Sequence, residues 1–542
     1  MTNKQVAAKF NLLGKIMELY KENPFKIKSY SNAYLTIRKL EKEVLKMNEE
    51  ELSGQQGIGK AISAKIIELR ETGKIGALEK YLETTPPGIV ELLRIKGLGP
   101  KKIKQIWEEL NIESPGELLY ACHENRLVDL KGFGAKTQTN LIEKLAYFLD
   151  SRGSFLYGHI EQEGLELLDI LQKEYSSNRW EFTGLFERKM PVLTEITIIT
   201  DLSLEENFYQ WLSNLEGVLS EEDGKWTFKN VDVVFVQSST EEFYVDKIKN
   251  SSGEAFLEQS PNLQKADSEK EVFSKSGMAY VSAECREWGS VASFSAEQSD
   301  AIVREDDILG VVHCHTTYSD GIHDLVTMVE ASAKLGYKYI VITDHSKSAF
   351  YANGLQIERL MMQIREIETI NNNRDDIKVF SGIESDILSD GSLDYPDDIL
   401  DMLDVIIASV HSNLKMDEEK ATRRIITAVE HPATDILGHP TGRLLLSRKG
   451  YPIDYKKIID ACAANGVSIE VNANPYRLDL DWEWIPYAME KGLQISINPD
   501  AHSTGGIKDI RYGVFAARKG LLTKDHTLNA KNATEFASWL KN

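Results

Sequence analysis

Between residues 308 and 542, one event recurs: a short apolar run ends in a histidine or a carboxylate. The first run, Ile308-Leu309-Gly310-Val311-Val312, leads into His313-Cys314-His315 and then Asp320. Runs near 339–343, 378–383, 405–410, 435–438 and 494–497 lead into His345, Glu384, His411, His439 and the pair Asp500 and His502, and the run near 468–471 contains Glu470. Amphipathic stretches near 325–335, 357–370, 418–429, 455–464, 483–491 and 507–519 separate them. Alternation of this kind builds a parallel barrel, with the residues that follow every strand gathered at one mouth. Seven strands instead of eight predict a distorted barrel. His313 and His315, two positions apart on an extended segment, are expected to share a face.

Of the 11 histidines in the chain, His313, His315, His345, His411, His439 and His502 all stand at these strand ends. Scattered core or surface histidines would not collect there. A set of imidazoles and carboxylates without a thiolate cluster suits Mn²⁺, Zn²⁺ or Fe²⁺ better than Mg²⁺ or Ca²⁺. The donors are too many for one ion, and several ions about 3.5–4 Å apart are what phosphoester hydrolysis uses. Glu470 is expected to orient a ligand from behind. Arg443 and Lys347 are candidates for holding a phosphate, with salt bridges inside their own loops as the alternative. His123, His159, His323, His431 and His526 lie off the pattern and are read as surface or capping residues.

At 542 residues the chain has room for three or four domains. Cys122, Cys285, Cys314 and Cys462 form no C-x-x-C pair, which fits a reducing compartment. No apolar signal core opens the chain and no run of membrane-spanning length follows, so a cytoplasmic protein without membrane attachment is expected. The net charge of −21 is unevenly spread. Residues 1–150 hold 24 Lys and Arg against 20 Asp and Glu, whereas the rest hold 39 against 64. Only the first part is drawn by charge to a phosphate backbone, and the acidic remainder suits a domain that holds cations.

Residues 1–150 read as helical, with apolar periodicity over 6–20, 33–45 and 62–69. Three copies of one feature stand out: Gly57-Ile58-Gly59-Lys60, Gly97-Leu98-Gly99-Pro100 and Gly132-Phe133-Gly134-Ala135. Each lies between two helical stretches, as in a helix-hairpin-helix. The first glycine permits the tight turn, and the second lets a ligand approach the backbone. The helix that follows offers free N–H groups to a phosphate. Lys60, Lys101, Lys102 and Lys136 stand where they add charge. Such a site grips DNA without reading its sequence.

This region resembles the N-terminal and fingers domains of family X DNA polymerases. The matching text is Asn23-Pro24-Phe25-Lys26-Ile27-Lys28-Ser29-Tyr30, Gly57 through Lys65, and Glu71-Thr72-Gly73-Lys74. In some members a lysine in the helix after the first hairpin forms a Schiff base with an abasic-site sugar. Lys65 matches that position, and a plain phosphate-contacting or solvated lysine is the alternative. The middle region, 151–300, alternates helix and strand and corresponds to the family's nucleotidyltransferase palm and thumb. Its chemistry is altered. Leu185 stands for the family's serine and Glu187 for one of its paired arginines. Glu195 and Thr197 fall where two strand aspartates belong, Asp232 alone agrees, and the nucleotide-selecting turn reads Asn250-Ser251-Ser252-Gly253. Replacing Asp by Thr removes a charged ligand that two metals share, so a palm without polymerase activity is expected.

The motifs H-x-H-x4-D, D-H-S, G-I-E-x-D, S-V-H-S, G-H-P and D-A-H resemble the polymerase and histidinol phosphatase (PHP) domain. The resemblance implies three divalent ions, Mn²⁺ or Zn²⁺ with Fe²⁺ as a further option. His313, His315, Glu384 and Asp500 would hold the first, Glu384 with His411 and His439 the second, and Asp320, His345 and His502 the third. The domain order matches the bacterial family X polymerase with a C-terminal PHP exonuclease. The expected architecture is an all-α helix-hairpin-helix region (1–85 and 86–150), a degenerate α/β palm and thumb (151–300), and a distorted (β/α)7 PHP barrel (308–542). The expected function is a monomeric, metal-dependent 3′-5′ exonuclease on gapped or 3′-ended DNA, used in repair at the nucleoid. Glu384 and His345 are its central catalytic residues. The rivals are an active gap-filling polymerase, a small-molecule phosphomonoester phosphatase and a binding scaffold.

Overall fold

The computed structural model describes residues 1–540 except 41, 96, 129, 151–152 and 221–224. Contacts divide the chain into two compact units: Met1–His123 with Phe133–Leu149, and Glu124–Gly132 with Asp150–Asn542. None of the described helices is long and apolar enough to cross a membrane.

The first unit is helical, and its hairpins have the backbone that their glycines foretell. Gly57 and Gly97 have φ of +96° and +90°, in the left-handed region that a side chain disfavours. Gly59 and Gly99 are extended N-caps of the helices Lys60–Thr72 and Pro100–Leu110, and neither helix start is capped by a side chain. A Cβ added at Gly59 or Gly99 would meet nothing within 4 Å. Gly132, in the third copy, repeats the turn with φ of +89° before the helix Ala135–Asp150. One helix departs from the reading of 33–45. It runs Pro24–Ile37, because Asn23 caps it and Pro24 starts it, and Val44–Lys46 is a separate 3-10 turn.

The second unit carries two sheets of functional interest. In the palm region, a five-stranded sheet has the order Val218–Ser220, Trp226–Phe228, Val231–Gln237, Glu195–Thr200, Trp180–Thr183. Glu195–Thr200 and Val231–Gln237 run parallel, with Glu195 opposite Asp232. The helices Tyr157–Glu174 and Glu206–Ser213 contribute Leu167, Leu171, Phe208 and Leu212 to a core around Trp180.

The C-terminal sheet has seven parallel strands in sequence order: β1 (Gly310–Cys314), β2 (Tyr339–Ile342), β3 (Lys378–Asp386), β4 (Val405–Ser409), β5 (Ile436–Leu437), β6 (Ser468–Asn472) and β7 (Ile495–Asn498). At the end that carries the histidines, the His315 amide donates to Ala501 O and the Ala501 amide to His313 O, which draws β1 to the segment after β7. Nearer the other end, Asn529 fills the place of a missing strand. Its Nδ2 donates to Ile497 O and Gly310 O, and its Oδ1 accepts from the Ile497 amide. The result is a distorted seven-stranded barrel.

Candidate metal centre

His313 and His315 reach the barrel mouth by an irregularity, not by plain strand alternation. The pairing of β1 with β2 shifts register between Val311 and Cys314, and His313 has φ of +67°. This bulge turns both imidazoles into the bowl and leaves Cys314 buried in the core beside Val311 and Ile342. Asp320 follows in the loop before the helix Leu325–Lys334, which Asp324 caps. His345 follows β2, Glu384 lies within β3, His411 follows β4, His439 follows β5, and Asp500 and His502 follow β7.

These nine residues converge. Glu384 is the hub: its carboxylate lies 2.8 Å from His345 Nδ1, 3.0 Å from both His411 Nε2 and His439 Nε2, 3.3 Å from His313 Nε2 and 3.7 Å from His315 Nε2. Asp500 lies 3.1 Å from His315 Nε2 and 3.5 Å from His313 Nε2. Asp320 is 3.3 Å from His502 Nε2 and 3.6 Å from His345 Nε2. The donor atoms cluster as His315, Asp320, His345 and His502; as His313, His315 and Asp500; and as His313, Glu384 and His439 beside His345, Glu384 and His411. His313 Nε2, both nitrogens of His315 and His345, one oxygen each of Asp320 and Glu384, and His502 Nε2 are buried without a hydrogen-bond partner. Buried polar atoms without partners are costly, and divalent ions would satisfy this set. The donor chemistry therefore fits the expected ions.

The electrostatics lean the same way. Burial opposes ionisation of Glu384, Asp500 and Asp320, yet the surrounding imidazoles hold all three below the usual carboxylate range. Burial and the neighbouring His502 and His345 push His315 down to about 3, which leaves it neutral with one ring-nitrogen lone pair to offer. Behind the bowl, His313 Nδ1 donates to Glu470 Oε2 at 2.6 Å, and His411 Nδ1 donates to Asp386 Oδ1 at 2.6 Å. Glu470 also accepts from the His439 amide, Asn472 and Asn498. Asp386 ends the G-I-E-x-D motif but carries no assigned role in the sequence reading, although it stands two residues after Glu384 on one strand and alternation places both on one face. Tyr351, whose ring lies 6.1 Å from that of His345, carried no such signal.

One of the two phosphate candidates has its donors taken. Arg443 spends its guanidinium on Asp481 and on the carbonyls of Arg477 and Leu478, the loop-bridge alternative. Lys347 lies over the Tyr395 ring, 5.5 Å from its centroid. The histidines off the pattern sit elsewhere: His323 accepts from the Thr504 amide, His431 from the Ala433 amide, and His526 bonds Thr523. In the first unit Lys60, Lys101 and Lys136 are exposed and Lys65 half-buried.

In the palm, Thr197 donates to Glu195 at 3.3 Å, and Asp232 stands on the adjoining strand. Among the described residues, no cluster of three metal-ligating side chains forms there. Glu187 is half-buried, with Lys247 Nζ at 3.5 Å; the same lysine lies 2.6 Å from Glu181 and 3.4 Å from Glu269. Arg188 is taken by Glu287.

Comparison with known proteins agrees with this layout. Residues 1–75 match a helix-hairpin-helix domain family, residues 89–146 a SAM-like helix-hairpin-helix tandem, and residues 312–502 the PHP domain. A probable phosphatase of Thermoanaerobacter sp. (strain X514) is 28% identical over 40% of this chain and 88% of its own. A solved histidinol phosphate phosphatase from Lactococcus lactis, complexed with zinc, L-histidinol and phosphate, aligns over 38% of this chain and 93% of its own, with 18% identity and a TM-score of 0.30. The DNA polymerase/3′-5′ exonuclease PolX of Bacillus subtilis is 31% identical over the full length of both chains. With that identity end to end, and a PHP domain behind two helix-hairpin-helix regions, this chain belongs to the bacterial family X DNA polymerases of the PolX type.

Proposed function

We propose that this protein is a divalent-metal-dependent 3′-5′ exonuclease and phosphoesterase that trims gapped or 3′-ended DNA during repair, and that its palm does not polymerise. The observation that carries this reading is Glu384, fully buried, with five imidazoles turned toward its carboxylate. His313, His315, Asp320, His345, Glu384, His411, His439, Asp500 and His502 would hold three ions, Mn²⁺ or Zn²⁺ with Fe²⁺ as a further choice. When bound, such ions neutralise phosphate charge and activate water. The protein's own part is to fix the donors, with Glu470 and Asp386 locking the His313 and His411 tautomers.

Gly57, Gly59, Gly97, Gly99, Gly132 and Gly134, with Lys60, Lys101 and Lys136, would carry the DNA backbone. Lys65 stands where a lyase lysine would. The palm reading rests on Thr197, which offers a hydroxyl where the family has a charged ligand, and on Glu187, which stands for one of the family's paired arginines. The test is a labelled gapped duplex incubated with nucleotides and Mn²⁺. Shortening of the 3′ strand is expected; lengthening would overturn the palm reading, and an unchanged strand the exonuclease reading. The match of the PHP segment to a probable phosphatase supports a second reading, a small-molecule phosphomonoesterase. Release of phosphate from histidinol phosphate without DNA trimming would favour it.

A further inference from the structure

The chain leaves its first compact unit after His123 and returns to it at Phe133, and the intervening Glu124–Gly132 belongs to the second unit. Glu124 is 3% exposed. Its Oε2 lies 3.1 Å from His502 Nε2 and has no hydrogen-bond partner. Glu124, Asp500 and His502 bring their ligand atoms within 4.8 Å of one another. Two residues on, Arg126 lies 3.9 Å from Asp320 Oδ2 and 3.8 Å from Glu124 Oε2, with its guanidinium 4.8 Å above the Tyr351 ring.

A buried carboxylate oxygen without a hydrogen bond is costly, and a divalent ion beside it would satisfy it. Among Asp320, His345 and His502 themselves only Asp320 carries charge, so a divalent ion held by these three alone keeps a net positive charge, with Asp500 the other carboxylate beside His502 and Glu124. Glu124 enters from the side of His502 and supplies the balancing charge. On the metal-centre reading above, we propose that Glu124 is an additional carboxylate ligand of the ion held by Asp320, His345 and His502. It is delivered by a segment that lies some 190 positions before the PHP domain in the chain, and Arg126 positions it beside Asp320. Metal occupancy and the docking of residues 124–128 then become linked equilibria, each strengthening the other.

The experiment uses the full-length protein stripped of metal and titrated with Zn²⁺ against a chromophoric chelator. Glu124→Gln keeps the side-chain shape and removes the charge. It should weaken one of the ions by about tenfold or more, while the others keep wild-type affinity. Wild-type affinity for every ion in this variant would overturn the assignment. Hydrogen exchange on the wild type gives a second readout that no mutation can compromise. Zn²⁺ should slow amide exchange across residues 124–128, and exchange there that ignores Zn²⁺ would also overturn it. A wild type that binds no ion at all would remove the metal-centre reading itself, a result distinct from either of these.

Discussion

Glu470 stands 2.6 Å behind His313 Nδ1, and His313 Nε2 faces Glu384. The carboxylate accepts the Nδ1 proton, fixes the ring orientation and leaves Nε2 as the donor toward an ion. Glu470→Gln keeps one oxygen for the His439 amide and Asn472 but loses the oxygen that Asn498 and His313 share, and with it the charge that makes His313 a strong ligand. Metal affinity should fall about 10–100-fold, measured by competition with a chelator. An affinity equal to wild type would mean that the pair serves packing alone.

Gly59 and Gly99 separate DNA contact from folding. Their φ values of −81° and −84° suit any residue, and a Cβ there meets no neighbour. Gly59→Val and Gly99→Val should melt close to wild type, because the side chain projects into open space. The same side chain would keep a phosphate away from the helix amides, so anisotropy should show weaker binding to every duplex, whatever its sequence. Lys60→Ala should lower the slope of log affinity against log salt by about 1. A Gly59→Val protein that binds DNA normally would remove the hairpin from the interface.

The barrel was legible because alternating apolar runs and amphipathic helices leave little else to build, and the helix expected at 418–429 occurs as Glu418–Val429. The nine bowl residues were legible because strand-to-helix loops must meet at one mouth. The bulge at His313 was not, since its positive φ depends on pairing with β2 and not on local residue type. Asn529 closing the gap between β1 and β7 was equally hidden: one amide hydrogen-bonding across the barrel leaves no periodicity. Arg443 has the chemistry of a phosphate clamp, and only the structure reveals Asp481 as its partner. Glu124 is separated from His502 by most of the chain, and no local pattern joins them.

Lys247 tests whether the palm's buried charge is structural. Burial works against its ammonium, yet Glu187, Glu269 and Glu181 together hold its pKa above the usual lysine range. Lys247→Met would leave these carboxylates facing one another with Arg286, beside Glu269, and the more distant Lys189 as counter-charge. Loss of one partner from such a buried network costs about 3–5 kcal/mol, read as an earlier palm transition in urea. A midpoint within error of wild type would show that water already screens the cluster.

The histidines of the metal centre make the stability of the metal-free protein depend on pH, and bound metal should weaken that dependence. In metal-free protein, burial opposes protonation of His411 and His502, but Glu384 and Asp386 raise the first to about 9, and Glu124 and Asp320 raise the second to about 10. Both folded values exceed the ordinary 6.5, so the proton-linked stability is fully present below pH 6.5 and is lost as pH rises through 9 and 10. For His411 alone this is on the order of 3 kcal/mol. The melting temperature of metal-free protein should therefore fall between pH 7 and 10. A divalent ion needs the neutral imidazoles, so loading the protein at pH 8 should expel these protons and flatten that fall. Calorimetry in two buffers of different ionisation heat counts the protons released. A count of zero at pH 8 would mean that the ions bind without His411 and His502.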